Sequence, residues 1–177
     1  MSPPIVLLDS PSLEKALARI AHEIRERNGP NERVFLVGIP RGGSYLAKRL
    51  AQLLSGLLGY TVPTGALDVS MHRDDIDQCV GREIHPTTIP FDINGKTVIL
   101  VDDVLFSGRT VRAAMDALND FGRPQRIQLA VLVDRGHREL PIKADYVGKN
   151  VPTSLEERIN VSLKEESGDD VVYLEKP

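Results

Sequence analysis

The fold is indicated first by Val98-Ile99-Leu100-Val101-Asp102-Asp103-Val104-Leu105-Phe106-Ser107-Gly108-Arg109-Thr110. Its apolar beginning is typical of a strand buried on both faces of a parallel sheet, and we predict that strand over residues 97–101. Two adjacent carboxylates then reach the sheet edge, and a short loop opens a helix. Backbone N–H groups of residues 106–110, with the hydroxyls of Ser107 and Thr110, can wrap a phosphate at the positive helix end. The carboxylates can hold the hydroxyls of an attached sugar. The alternative is an ordinary strand–turn–helix in which one acid caps the helix.

Strands and helices alternate on both sides of this stretch. Apolar runs predict strands over residues 34–39, 62–69 and 127–133, and shorter strand pieces near 146–147, 159–161 and 171–173. Helical spacing predicts helices over residues 10–28, 44–58 and 109–121, the first with Ser10 as its cap and Pro11 in its first turn. This alternation predicts an α/β fold with a mainly parallel sheet flanked by helices on both faces. Ligands of such sheets lie at the carboxyl ends of the strands.

Composition narrows the class of protein. The chain has 177 residues, 22 Lys+Arg, 25 Asp+Glu and a net charge of −3, which excludes a generally basic nucleic-acid wrapper but not a local basic face. We expect a single domain spanning residues 1–177. Cys79 is the one cysteine, so no internal disulfide can form, which fits a reducing cytoplasm. We find no secretory leader pattern at the start and no apolar run of about 20 residues, the length that crosses a bilayer.

Three further loops follow predicted strands. In Pro40-Arg41-Gly42-Gly43, the glycines let the backbone approach a ligand and Arg41 adds positive charge, although a plain tight turn has the same pattern. The polar segment of about 70–90 contains Arg73 and is long enough to be a mobile lid, or else a solvated loop. A polar turn at residues 133–137 could hydrogen-bond a planar base edge through its backbone, and His137 alone is more typical of a surface turn residue.

The stretch around Asp102 resembles the 5-phosphoribosyl diphosphate (PRPP) motif of the type I phosphoribosyltransferases. The resemblance implies that fold, with a small hood built from the chain ends. It assigns Asp102 and Asp103 to the ribose hydroxyls, and the pyrophosphate to the loop at residue 41. Arg73 would lie on the lid and neutralise the departing pyrophosphate. Mg²⁺ would act mainly through PRPP, with Asp102 and Asp103 as possible ligands. The positions implied for PRPP or nucleotide are Pro40, Arg41, Gly42, Gly43, Val104, Leu105, Phe106, Ser107, Gly108, Arg109 and Thr110. The positions implied for the base are Val133, Asp134, Arg135, Gly136 and His137.

Blocks along nearly the whole chain resemble one subfamily, the bacterial PyrR proteins, which combine uracil phosphoribosyltransferase activity with control of the pyrimidine operon. These blocks include residues 19–23, 45–50, 73–75, 133–141 and 144–154. The resemblance implies uracil, PRPP and UMP or UTP as ligands, a homodimer or larger homo-oligomer, and a leader mRNA as partner. Exposed cations would contact its phosphates, a role that ordinary solvated cations could also explain. The candidate RNA-binding residues are Arg19, His22, Arg27, Arg138, Lys143 and Lys149.

One departure keeps alternatives open. The subfamily usually has Thr-Arg-Gly in the pyrophosphate loop, whereas here Arg41 falls one position earlier and Gly42 and Gly43 follow. This loop is closer to that of the purine-salvage relatives. A regulator that senses nucleotide and binds RNA with weak or no transferase activity, and a purine-base phosphoribosyltransferase, therefore stay as alternatives to the bifunctional uracil enzyme.

Overall fold

The protein is described by a computed structural model over residues 3–30, 32–72 and 84–177. Arg73 and Cys79 lie outside the described residues, as does most of the predicted lid. Within the described ranges no helix is both long enough and apolar enough to cross a membrane. The elements in chain order are β1 (Ile5–Leu8), α1 (Ser10–Asn28), β2 (Val34–Gly38), α2 (Gly42–Leu58), β3 (Thr64–Ala66), a 3₁₀ turn (Ser70–His72), β4 (Thr97–Leu105), α3 (Arg109–Leu118), β5 (Arg126–Asp134), β6 (Tyr146–Asn150), β7 (Arg158–Ser162), α4 (Lys164–Ser167) and β8 (Val171–Glu175).

A five-stranded parallel sheet forms the centre, in the order β3-β2-β4-β5-β6. β2, β4 and β5 are buried along almost their whole lengths, as the unbroken apolar runs predicted. One face of the sheet packs on α1 and α2 through side chains such as Leu17, Leu46 and Leu50, and the other packs on α3 through Val111 and Leu118. The predicted α/β fold with helices on both faces is confirmed.

A second sheet is built from the two ends of the chain. β1 and β7 both pair antiparallel with β8, giving the order β1-β8-β7. Its buried side includes Val172 and Leu174, and Val172 joins the core on the α1–α2 side. This three-stranded sheet, together with α4, is the hood that the resemblance implied, and we use that name for it below.

Several predicted boundaries were wrong, for identifiable reasons. The cap of α1 is Asp9 rather than Ser10, because the Asp9 carboxylate accepts a hydrogen bond from Ser12 N at 3.0 Å. Hydrogen bonds from the Ser12 side chain and from Ser12 N lower the pKa of this exposed carboxyl. The strand predicted over 62–69 is only β3, three residues at the sheet edge. β4 continues to Leu105, four residues past the predicted end, because β5 is equally long and pairs with it as far as Asp134.

Candidate active site

The two acids lie within β4 rather than after it. Asp102 faces Val131 of β5 in the ladder, and its carboxylate accepts from Asp103 N at 2.9 Å. Asp103 accepts from Val104 N at 2.7 Å. Because side chains alternate along a strand, Asp103 points to the face that α2 covers and Asp102 to the face that α3 covers. The sheet therefore presents one carboxylate on each side of its carboxyl edge, both on rigid backbone.

The predicted phosphate loop follows directly and opens α3. Gly108 occupies the N-cap position with a φ of 90°, a conformation that favours glycine, and the Ser107 hydroxyl accepts from Arg109 N at 3.3 Å. A Cβ on Gly108 would lie 3.3 Å from the Ile142 side chain, so glycine also allows this loop to pack closely. Backbone N–H groups and the helix dipole favour an anion at this end of α3. The Arg109 side chain is turned sideways, and its Nε lies 2.6 Å from an oxygen of Glu139.

The second predicted loop packs directly on the acids. A Cβ on Gly42 would lie 2.6 Å from Asp103 Oδ2, and one on Gly43 would lie 2.3 Å from the carbonyl oxygen of Val101. Both glycines thus allow the start of α2 to touch β4, a closer reason for glycine here than the ligand approach we expected. Arg41 is at the N-cap of α2, with its side chain 55% exposed and 3.8 Å from Glu166 of α4. Pro40, which precedes it, is joined to it by a cis peptide bond.

The base loop is tightly folded back on itself. Val133 ends the buried part of β5, and Asp134 accepts from Gly136 N at 3.0 Å. Gly136 and His137 both have positive φ values, and the His137 ring contacts the carbonyl of Thr153. The role predicted for this segment at the base edge is one of its backbone, and the Arg135 side chain has partners within the protein. That side chain is turned inward onto the Phe106 ring, and burial lowers its pKa.

The ends of the predicted lid meet at Asp68. Its carboxylate accepts hydrogen bonds from Ser70 N at 2.7 Å and from His85 N at 2.5 Å, and so joins the two described flanks of residues 73–83. Partial burial raises the pKa of Asp68, but the hydrogen bonds from Ser70 and His85 outweigh it, and the pKa lies below its usual value. His72 lies 3.4 Å from Asp120 beyond α3. The role proposed for Arg73 itself lies outside the described residues.

The candidate RNA-binding cations do not form one group. Arg19 donates to the carbonyls of Val147 and Gly148, Arg27 pairs with Asp145, and Lys149 donates to the carbonyl of Leu7, so these three cations lie along the junction of α1 with β6. His22 instead lines a cavity with Arg25 and the end of α2. Lys143 is exposed beyond the base loop, whereas Arg138 is turned into that loop and donates to Asp134 and to the carbonyls of Phe106 and Ile142.

Two contributors to the site were missed by sequence reasoning. Glu139 holds Arg109, and the segment Thr153–Ser154 holds Arg135 through a hydroxyl and a carbonyl. Both segments belong to the blocks on which the family resemblance rests, but neither has a spacing that indicates its partner. The contacts join residues 18 to 30 positions apart, and only the fold brings those together.

A resident metal does not fit the described residues. They contain no cluster of three or more His, Cys, Asp or Glu that could hold an ion. Asp102 and Asp103 alone do fit Mg²⁺ that arrives with a diphosphate, since Mg²⁺ is commonly bound by one or two carboxylates together with substrate phosphates. Asp103 Oδ2 faces the loop at Gly42, which the resemblance assigns to the pyrophosphate.

Comparison with known proteins agrees with this geometry. A family model described as "Phosphoribosyl transferase domain" matches residues 6–166. A "Bifunctional protein PyrR" of Streptomyces coelicolor is 57% identical over 169 residues, covering 95% of this chain and 88% of that protein. Proteins with the same name from Deinococcus radiodurans and Listeria monocytogenes are 54% and 51% identical, and each covers 99% of this chain and at least 97% of its own length.

Solved structures show the same fold in more distant proteins. A hypoxanthine-guanine phosphoribosyltransferase of Bacillus anthracis aligns with a TM-score of 0.72 at 19% identity, covering 98% of both chains. The hypoxanthine phosphoribosyltransferase of Trypanosoma cruzi in complex with IMP aligns with a TM-score of 0.70 at 18% identity, covering 94% of this chain and 88% of its own. The architecture is thus shared with purine enzymes, whereas relatives matching at more than half of all positions carry the PyrR name. The chain belongs to the PyrR family of phosphoribosyltransferases.

Proposed function

We propose that the protein transfers the 5-phosphoribosyl group of PRPP to uracil, forming UMP and pyrophosphate, and also controls pyrimidine biosynthetic operons by binding leader mRNA when a uridine nucleotide occupies the site. The observation that carries the proposal is the close packing of Gly42, in the predicted pyrophosphate loop, against Asp103. Asp103 is followed within a few residues by the phosphate loop, residues 106–110. One continuous edge then offers places for pyrophosphate, ribose and 5-phosphate in that order. The PyrR relatives support uracil as the base and the regulatory role.

In the proposed reaction the protein mostly positions the substrates and neutralises the charge of the leaving group. The acids hold the ribose hydroxyls, and the N-terminus of α3 with the Ser107 hydroxyl holds the 5-phosphate. As the bond from C1 to pyrophosphate weakens, positive charge grows on the ribose and negative charge on the leaving group. Arg41 lies beside the leaving group and stabilises that negative charge. The base nitrogen attacks C1 from the opposite face and releases its proton, and the bond from C1 to the pyrophosphate oxygen breaks. Bound Mg²⁺ would neutralise further negative charge on the pyrophosphate.

The base loop and the lid complete the proposed site. Backbone groups of residues 133–137 face the edge of the base, and their tight fold fixes the spacing of donors and acceptors. The lid, which we place at about residues 70–90 with Arg73 on it, would exclude water that could otherwise capture the activated ribose. Asp68 joins the described flanks of that segment and so fixes where the lid begins and ends.

The transfer is tested by offering the purified protein Mg²⁺ and PRPP with uracil, guanine, hypoxanthine, adenine and orotate in separate reactions. We expect UMP from uracil and a rate at least about 100-fold lower with each other base, because a site built to hydrogen-bond one base edge leaves polar groups unpaired with another. Chromatography of the nucleotide product measures this. IMP or GMP as the main product would show that the substrate is a purine base rather than uracil. UMP binding without any product would favour the regulator with a degenerate site.

The proposed RNA face is the junction of α1 with β6, bearing Arg19, Arg27 and Lys149. Two of its cations are partly neutralised within the chain, Arg19 by Glu23 and Arg27 by Asp145. Their surface positions still allow phosphate contacts, and exposed bases of an RNA loop would supply specificity. A homodimer would place two such faces on one particle. A role with the leader transcript and PRPP supports a location in the cytoplasm.

The RNA role is tested with Arg27→Gln, measured as the Kd for a hairpin from the pyrimidine leader transcript with saturating UMP. Losing one phosphate contact should weaken binding about threefold to tenfold and reduce the slope of log Kd against log salt by about 0.7 to 0.9. The Arg27–Asp145 pair is half exposed, so the melting temperature should barely move. Arg112→Gln, in a similarly exposed pair on α3 at the other face of the sheet, is the matched control. Equal weakening by both variants would remove the assignment of this face.

A further inference from the structure

Arg135 makes an unusual set of contacts for a guanidinium. Only 8% of the residue is exposed, and its Cζ lies 4.2 Å from the centre of the Phe106 ring. Its Nε donates to Thr153 Oγ1 at 3.1 Å, and one terminal nitrogen donates to the carbonyl of Ser154 at 2.9 Å. The buried positive charge is thus stabilised by an aromatic ring, a hydroxyl and a carbonyl. All of these contacts are with other parts of the protein.

Phe106 belongs to the phosphate loop, so the Arg135 contact joins that loop to the base loop. The join continues along the backbone, because Ser107 O accepts from Glu139 N at 2.9 Å and from Leu140 N at 3.3 Å. The carbonyl of Phe106 accepts from Arg138 at 2.8 Å. Arg135 N itself donates to the carbonyl of Leu105 at 3.0 Å. Movement of one loop therefore has to be accompanied by movement of the other.

The segment Thr153–Ser154 closes the arrangement from the third side. The Thr153 hydroxyl donates to the carbonyl of Arg135 at 3.2 Å, and the Thr153 carbonyl contacts the His137 ring. The His137 and Phe106 rings are also neighbours, with centroids 6.2 Å apart. Arg135 therefore lies between three segments that are far apart in sequence, and its planar fork contacts two of them at once.

We propose that Arg135 is a positioning residue that couples the 5-phosphate site to the base site, so that a phosphate bound at residues 106–110 orders the backbone that receives uracil. This inference rests on the proposed function. A phosphate that fixes the loop also fixes the Phe106 ring, and through Arg135 it fixes residues 134–137. The base then binds to a loop that is already ordered, so its binding loses less conformational entropy. The result is positive cooperativity between the two ligand fragments.

The coupling is measured as the ratio of uracil Kd values without and with saturating ribose 5-phosphate. We expect a ratio of about 10 in the wild-type protein, a typical size for coupling between sites. Arg135→Lys keeps the charge but loses the planar fork and the stacking, so the ratio should fall below about 3. Ribose 5-phosphate alone should bind that variant within about twofold of wild type, because Arg135 does not line the phosphate loop. In turnover, the KM for uracil should rise more than about threefold, as that loss of coupling requires, with kcat changed less than threefold.

Two further variants keep the test decisive. Phe106→Leu removes the ring face from the opposite side and should reduce the ratio in the same way, even where an Arg135 variant fails to fold. Arg126→Lys, at the start of β5, the strand that Arg135 follows, should keep the wild-type ratio. A ratio unchanged in both Arg135→Lys and Phe106→Leu overturns the inference. So does an equal loss of uracil affinity with and without ribose 5-phosphate, because that pattern means direct contact with the base. Wild-type protein that does not bind uracil contradicts the proposed function, whereas uracil binding without coupling contradicts only the inference.

Discussion

Replacing both acids in the double variant Asp102→Asn, Asp103→Asn is expected to lower kcat/KM for phosphoribosyl transfer by about 100-fold to 10,000-fold. Each carboxylate is proposed to accept a hydrogen bond from a ribose hydroxyl, and hydrogen bonds to charged groups contribute about 1.5 to 3 kcal/mol. Two such losses, at about 1.4 kcal/mol per factor of ten, produce a decrease of that order. Initial rates at varied PRPP concentration measure it.

The fold of the double variant should remain intact. Asparagine keeps a side-chain oxygen that can accept the hydrogen bonds from the backbone N–H groups of residues 103 and 104, which help to hold these side chains in place. We therefore expect a melting temperature within a few degrees of wild type. Asp116→Asn, an exposed carboxylate on α3 that pairs with Arg112, is the matched control and should keep full activity. A double variant that retains its transfer rate would show that these acids do not hold the ribose.

The sheet and its loops could be predicted from the sequence because the signals are local. The apolar run before Asp102, the glycines after Pro40 and the polar turn after Val133 each lie within a few residues of the feature they indicate. The parallel alternation then brings all three loops to one edge, and the structure confirms that placement for the residues it describes. The roles of the individual site residues remain proposals, because the position of a loop does not show which of its residues contact a ligand.

What the sequence could not show depends on partners distant in the chain. β4 extends through Asp102 and Asp103 because β5 pairs with it, and no property of the acids themselves predicts that they continue a strand. Arg135 and Arg138 lie in a polar turn, where an arginine is often a ligand-binding cation. In the structure, however, Arg135 packs on the Phe106 ring and Arg138 pairs with Asp134. A charged side chain in a turn carries no local mark that distinguishes an internal partner from a ligand.

Replacing Arg49 by Met is expected to destabilise the protein by about 3 to 5 kcal/mol, the range for removing one partner of a buried ion pair. Arg49 of α2 donates two hydrogen bonds to Glu165 and two to Asp170, at 2.5 to 2.9 Å, and so anchors the hood to the central domain. The Asp170 side chain is only 1% exposed. Without Arg49 it keeps the hydrogen bond from Lys164 N at 2.8 Å and the Lys164 ammonium at 4.0 Å, but it loses its two bonds from the guanidinium. Thermal melting should show a decrease on the order of 10 °C. Arg126→Met, which breaks an exposed pair with Glu32, should cost about 1 kcal/mol or less.

The pH dependence separates this ion pair from a simple packing effect. The hydrogen bonds from Arg49 hold the pKa of Glu165 below its usual value. Burial raises the pKa of Asp170, but bonds from Arg49 and Lys164 N outweigh it, and that pKa is also lowered. Carboxyls with lowered pKa values stabilise the fold above their unfolded values of about 4, and this stabilisation is lost as the pH falls through the folded values. The gap in unfolding free energy between wild type and Arg49→Met should therefore narrow between about pH 5 and pH 3. A constant gap would mean that Arg49 acts only through the packing of its stem. The double variant Arg49→Met, Asp170→Leu should recover much of the loss at pH 7, because replacing both members of a buried pair by apolar residues is often neutral.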